Sequence, residues 1–247
     1  MGLPLTLLAI LAVEAYFAAA NEYLPTDPGY VVEATVSAST GGTDPTLNLV
    51  ILGDSTVAGV GSPTSAESLA VLIAERVADQ LDRSVHVLGL GMSGARTATV
   101  REKQAPLLRE HNPDIVLIVV GSNDVTHLTS PWLLDNQTKA LVEAVHKVAD
   151  APVVVGGIPQ FRTVPALAQP LRWVVGRYAS VLREVQRQAV AKTGATYVDI
   201  AAEASPRFLG KPESMSSDGY HPSPLGYSFW ADALAPAITA RVSRQSR

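Results

Sequence analysis

Three apolar runs, Leu47 to Leu52, Val85 to Leu90 and Ile115 to Val120, are rich in β-branched residues, and each breaks off into glycine and polar residues. They set the tightest limit on the fold. A strand with one wet face alternates apolar with polar; runs like these have no polar face and read as parallel strands buried on both sides. Shorter runs at Val153 to Gly157 and Thr196 to Val198 extend the series. Helical patterns lie between and beyond them, around Ala66 to Leu81, Thr97 to Glu110, Pro131 to Ala149, Leu171 to Lys192 and Pro224 to Val242. Such alternation, with right-handed crossovers, predicts an α/β fold: a three-layer α/β/α sandwich around a central parallel sheet. A chain of 247 residues is long enough for one such domain.

The polar residues at the strand ends form short stations: GDST at Gly53 to Thr56, MSGAR at Met92 to Arg96 and GSND at Gly121 to Asp124. Three stations at one carboxyl edge build one site. A turn at Ser55 exposes a hydroxyl, and the backbone N–H groups of Ser55 and Gly94 with the side-chain amide of Asn123 can receive a developing oxyanion. A fourth station, DGYH, places Asp218 and His221 in a Ser, Gly and Pro-rich loop. That loop can fold the carboxylate onto Nδ1 and leave Nε2 to take a proton from Ser55. Each station alone is an ordinary turn or cap; together they supply every part that acyl transfer by a serine requires. His127 follows GSND closely and is a candidate for touching substrate, whereas His86, His111 and His146 read as structural or solvated. No cysteine occurs, and no grouping of histidines and carboxylates suggests a metal, so the expected metal set is none.

These stations resemble the motif blocks of the SGNH, or GDSL-type, hydrolases, in order, over about Leu47 to Val242. The resemblance implies a flavodoxin-like sandwich in which Ser55 is the nucleophile, Asp218 and His221 its acid and base, and Ser55, Gly94 and Asn123 the oxyanion donors. It gives Asp54 the task of bracing the nucleophile loop, and Thr56 stands where the family name has leucine. The alternative G-x-S-x-G elbow is not matched, because GDSTV lacks the second glycine. The implied activity is hydrolysis of carboxylic esters of short or medium acyl chains through an acyl-enzyme, without metal or organic cofactor. Ile158 to Leu171, irregular and apolar past a strand end, must either line the pocket as an acyl-contacting wall or simply cover core. A carbohydrate or cell-envelope deacetylase is a rival, with Trp132 and Tyr220 as candidate sugar platforms. A non-catalytic binding module would show damage to the constellation, which is intact.

A net charge of −4 and no block of Lys or Arg leave no footprint for a nucleic-acid backbone. The partner to expect is a small-molecule acyl ester. Residues 1–24, apolar from Leu3 to Ala20, read as a signal or membrane anchor, which would make the protein exported or associated with a membrane or the cell envelope. Glu14 and the lack of any Lys or Arg before Arg76 favour the other reading, an apolar helix packed on the domain. Residues 25–46, rich in Pro, Gly, Ser and Thr, read as a linker to a hydrolase domain at 47–247.

Overall fold

The computed structural model describes residues 2–38, 40–42 and 44–245. Helix α1 (Gly2–Ala19) comes first, followed by strands β1 (Glu33–Val36) and β2 (Leu47–Gly53), a short helix α2 (Ser55–Ala58), helix α3 (Leu69–Leu81) and strand β3 (Val85–Gly91). Next are α4 (Thr97–Thr99), β4 (Ile115–Val119), α5 (Ser122–Thr126), α6 (Pro131–Val148), β5 (Val153–Gly156) and α7 (Leu171–Ala191). The chain continues through β6 (Thr196–Val198) and α8 (Ile200–Glu203) to α9 (Pro224–Gln245). The six strands lie in the order β1-β3-β2-β4-β5-β6, with β3, β2, β4, β5 and β6 parallel. The chain leaves β2 for β3 on one side and returns to β4 on the other. The carboxyl ends of β2 and β4 therefore flank the point where the winding reverses, which is where open α/β sheets bind ligands.

Side-chain alternation builds two cores from one sheet. Leu49 and Ile51 of β2 with Leu117 of β4 face α3 and α9, in a core with Val77, Leu234 and Ile238. Val50, Leu52, Val116 and Ile118 face the other way, onto Leu141, Val142 and Val145 of α6. Both faces are covered, which is why these strands are continuously apolar. A third, smaller cluster holds Ile158, Phe161, Leu167, Leu182 and Val125 beneath the long β5–α7 connection.

The expected strands and all but one of the long helices are present, and the structure departs from expectation in two places. The 25–46 stretch is more than a linker: Glu33–Val36 pairs antiparallel with Val85–Leu88, making β1 the edge of the sheet. Four half-exposed residues among Gly, Ser and Thr give little periodicity from which to foresee a strand. The single helix expected at 97–110 is broken into α4, a wider turn over Val100–Gln104 and a tighter one over Ala105–Glu110. Pro106 has no N–H to donate to a regular helix, and widened turns concentrate at functional sites. Among the described residues, no helix is long and apolar enough to cross a membrane.

Candidate active site

The turn that carries Ser55 is set by a strand end that tolerates no side chain. A Cβ on Gly53 would lie 2.3 Å from the Val119 carbonyl oxygen, so β2 and β4 can converge only around glycine. The side chain of buried Gln104, delivered by the widened turn, accepts from the Gly53 N–H at 2.9 Å and donates to its carbonyl at 2.7 Å. The next residue, Asp54, caps α2 by accepting from the Thr56 N–H at 3.0 Å and the Thr56 hydroxyl at 2.9 Å. Burial pushes the Asp54 carboxyl up, against the pull of those bonds. Thr56 thus fills the family's leucine position as the partner of Asp54. Ser55 begins α2, where backbone N–H groups have no intrahelical acceptor.

His221 Nε2 lies 3.1 Å from Ser55 Oγ, and His221 Nδ1 lies 2.6 Å from Asp218 Oδ2. The other carboxylate oxygen accepts from the N–H groups of Tyr220 at 2.9 Å and His221 at 3.0 Å, closing the loop on itself. Burial pushes the Asp218 carboxyl up, but the bonds from His221 and from those two backbone N–H groups outweigh it and hold it at about 2. Asp218 is therefore an anion at neutral pH. It fixes Nδ1 as the protonated nitrogen, leaving Nε2 as an acceptor for the serine proton.

Ser55, Gly94, Asn123 and His221 all border one cleft. Gly94 has φ +77°, a left-handed turn that glycine adopts without strain. The Asn123 amide donates one of its two N–H groups to the Ala95 carbonyl at 3.1 Å, which fixes its plane and links the GSND loop to the MSGAR loop. Asp124 reinforces that link from full burial, accepting from the Thr97 N–H at 2.9 Å and hydroxyl at 2.8 Å. Gln186 does for β4 and β5 what Gln104 does for β2: it donates to the Val120 carbonyl at 2.9 Å and accepts from the Ile158 N–H at 3.1 Å. Sequence reasoning missed both glutamines. Each lies within a helical pattern, and only burial distinguishes it from a solvated polar residue.

Other expected contacts divide. His127 borders the cleft with Nδ1 2.8 Å from the Asn123 carbonyl, so Nδ1 carries the proton. Of the segment Ile158 to Leu171, Ile158 covers core, Pro159, Phe161 and Val164 line a small pocket beside Ser55 and His221, and Leu167 and Leu171 line the larger cleft. The two aromatics do not form one platform: Tyr220 borders the cleft, edge-on to the His221 ring, and Trp132 stands 75% exposed on α6, outside the cleft lining.

The amino-terminal segment, which its sequence leaves open as a signal or anchor or as a helix packed on the domain, borders the site. Ala15, Ala18, Ala19, Tyr23 and Leu24 border the cleft. The Leu24 N–H donates to Asp218 Oδ2 at 3.3 Å, and the Asn21 amide donates to the Asp218 carbonyl at 3.1 Å. Glu14, whose charge counts against a spanning helix, accepts from the Leu171 N–H at 2.8 Å and so caps α7.

Residues 51–229 match the sequence model of the GDSL-like Lipase/Acylhydrolase family. A GDSL-like esterase of Mycobacterium tuberculosis is 32% identical over 196 residues, which are 78% of this chain and 62% of that protein. The chain thus spans less than two thirds of that relative. An arylesterase of Vibrio mimicus is 26% identical over 77% of this chain and 87% of its own length. In three dimensions, a lipase/acylhydrolase from Enterococcus faecalis superposes with a TM-score of 0.60 over 79% of this chain and 96% of its own, at 20% identity. That likeness establishes the α/β fold and nothing finer.

Proposed function

The chain belongs to the GDSL-like lipase/acylhydrolase family, a family of ester hydrolases, and we propose that it cleaves carboxylic esters of short or medium acyl chains through an acyl-enzyme on Ser55. The carrying observation is the continuous relay from Asp218 Oδ2 through His221 to Ser55 Oγ, with bonds of 2.6 and 3.1 Å. In this reading Ser55 Oγ attacks the ester carbonyl carbon as its proton passes to His221 Nε2. The carbonyl oxygen, now negative, is received by the N–H groups of Ser55 and Gly94 and the Asn123 amide. Collapse breaks the bond to the alkoxide oxygen, which leaves as the alcohol with the proton from His221. Water then adds to the acyl-enzyme, giving its proton to the same nitrogen, and the acid departs as Ser55 regains its hydrogen. Asp218 orients the imidazole and stabilises its charged form.

The apolar lining contributed by Leu167, Leu171 and Val175 supports an aliphatic acyl group. The test is a series of p-nitrophenyl esters from acetate to decanoate, with fluorophosphonate labelling mapped by mass spectrometry and an assay in EDTA. Turnover with label on Ser55, unaffected by chelator, is expected. Label on another residue, or activity that EDTA removes and a metal restores, would overturn the reading.

A further inference from the structure

The cleft bordered by Ser55 and His221 has a volume of about 610 Å³, and one of its walls comes from outside the strand-end loops. Ala15, Ala18 and Ala19 of α1 stand on one side, and Leu167, Leu171 and Val175 of the β5–α7 region on the other. Helix α1 meets the domain through a narrow stripe: Leu11, Glu14 and Ala18, spaced three and four residues apart, are its partly buried positions, while Leu8, Val13 and Phe17 are exposed. Two polar contacts fix its height. The Glu14 carboxylate accepts the first-turn N–H of Leu171, a donor that α7 cannot satisfy itself, and so faces the positive end of the α7 dipole. The Tyr23 hydroxyl donates to the Ala18 carbonyl at 2.6 Å and secures the end of α1. Where α1 reaches the cleft its residues are alanines, so the room in the cleft depends on their small size.

We propose that the carboxyl-terminal half of α1 is the specificity wall for the acyl chain, an inference that rests on the esterase reading above. A medium, unbranched aliphatic acyl group runs from the acyl carbon on Ser55 between α1 and α7, with Ala15 and Ala18 setting the room available. The stretches of α1 and α7 that border the cleft carry only apolar side chains, which matches a hydrocarbon, while polar Tyr23, Thr26, Ser93, Thr126 and His127 border it elsewhere. Glu14 is a positioning residue that holds the wall against α7.

The test uses the full-length protein and compares kcat/KM for p-nitrophenyl acetate and octanoate. In the unaltered chain kcat/KM should rise with acyl length by up to about fourfold per methylene until the space is filled. Ala18→Trp, which fills the cleft, should lower the octanoate-to-acetate ratio at least about tenfold, the loss of two or three methylenes of binding. Ala15→Trp, at an exposed position able to take the bulk, should move the ratio the same way even if Ala18→Trp does not fold. Val13→Ser, on the outer face of α1, should leave the ratio as it is. An unchanged ratio in the tryptophan variants, or equal loss for both esters, overturns the wall. So does a preference that follows the length of an ethyl, butyl or hexyl alkoxy group instead of the acyl group. Turnover of both esters with unshifted ratios would remove the wall alone, whereas no turnover of any ester and no label on Ser55 would remove the esterase reading and the wall together.

Discussion

The strand-end loops and the amino-terminal arm meet at the same cleft, yet they are held by different means. At the sheet edge the last backbone groups of β2, β4 and β5 are paired to buried Gln104 and Gln186, and Asp124 ties α5 to Thr97 from full burial. Leaving any of these unpaired costs the desolvation of a buried polar group, so the loops have one arrangement. The arm from α1 to Leu24 is joined by Glu14, Asn21 and the Leu24 N–H, and most of the large side chains of α1 face outward. Few buried contacts and partly exposed hydrogen bonds mark the low end of local stability. The contrast fits the proposed division, in which the rigid edge carries the chemistry and the loosely held arm shapes the substrate site.

The largest effects should come from the edge. Ser55→Ala should abolish phosphonate labelling and lower kcat by about 10⁴-fold or more, with the thermal midpoint unchanged. Circular dichroism alongside the ester assay checks this, and substantial residual turnover would move the nucleophile elsewhere. Next is Asn123→Ala, expected to lower kcat by about 10²- to 10³-fold with little change in KM, because an oxyanion donor acts mainly in the transition state. A rise in KM at constant kcat would instead make Asn123 a substrate-binding group.

A third test compares the two regions by stability. Gln104→Leu strips the partner from the buried Gly53 N–H, whereas the Gly53 carbonyl keeps the Met92 N–H at 3.1 Å. One orphaned donor should cost about 1–3 kcal/mol. The matching change in the arm, Glu14→Ala, leaves an N–H at a helix start that water can reach, and should cost less than about 1 kcal/mol. Urea midpoints of the two variants would measure the difference, and equal losses would erase the distinction between edge and arm.

Protonation of Asp218 gives a further, smaller measure. Its carboxyl is held at about 2, below the ordinary 3.8, so its contribution to stability is complete above about pH 4 and disappears as pH falls through about 2. The stability gap between the unaltered chain and Asp218→Asn should therefore be constant near neutrality and narrow between pH 4 and pH 2. A gap that persists to pH 2 would mean that the pairing with His221 is not what Asp218 contributes to the folded state.

How much of this was legible in the sequence follows from the same physics. The runs at Leu47, Val85 and Ile115 betray their strands because both faces are buried; Ser55 and Asn123 stand out as polar residues at the ends of such strands, and Asp218 and His221 as an acid and a histidine three residues apart in a loop. Gln104 and Gln186 were hidden because a helix carries glutamine equally well on a wet face; what makes them braces is burial, a property of packing that periodicity does not encode. Strand β1 was hidden by its shortness and its half-polar pattern. The role of α1 was obscured more deeply. An almost uniformly apolar helix has no amphipathic stripe to show which side docks, and the reason for Glu14 lies at Leu171, 157 positions away in the chain.

The smallest expected effect bears most directly on the arm. The Asn21 amide donates to the backbone carbonyl of Asp218, and its loss leaves the carboxylate still bound by His221 and by the N–H groups of Tyr220 and His221. A single partly exposed hydrogen bond is worth about 0.5–1.5 kcal/mol, and only part of that should reach the orientation of the imidazole. Asn21→Ala should accordingly lower kcat for acetate by about twofold to fivefold with KM little altered, a deficit that separates orientation from the acyl-chain selection assigned to Ala15 and Ala18. Steady-state rates on acetate and octanoate decide the matter. If the loss approached that of Asn123→Ala, the arm would belong to the chemistry and the division between rigid edge and loose arm would fail. If the variant changed the octanoate-to-acetate ratio while sparing acetate, Asn21 would act by seating α1, and the bond to Asp218 would be a consequence of docking.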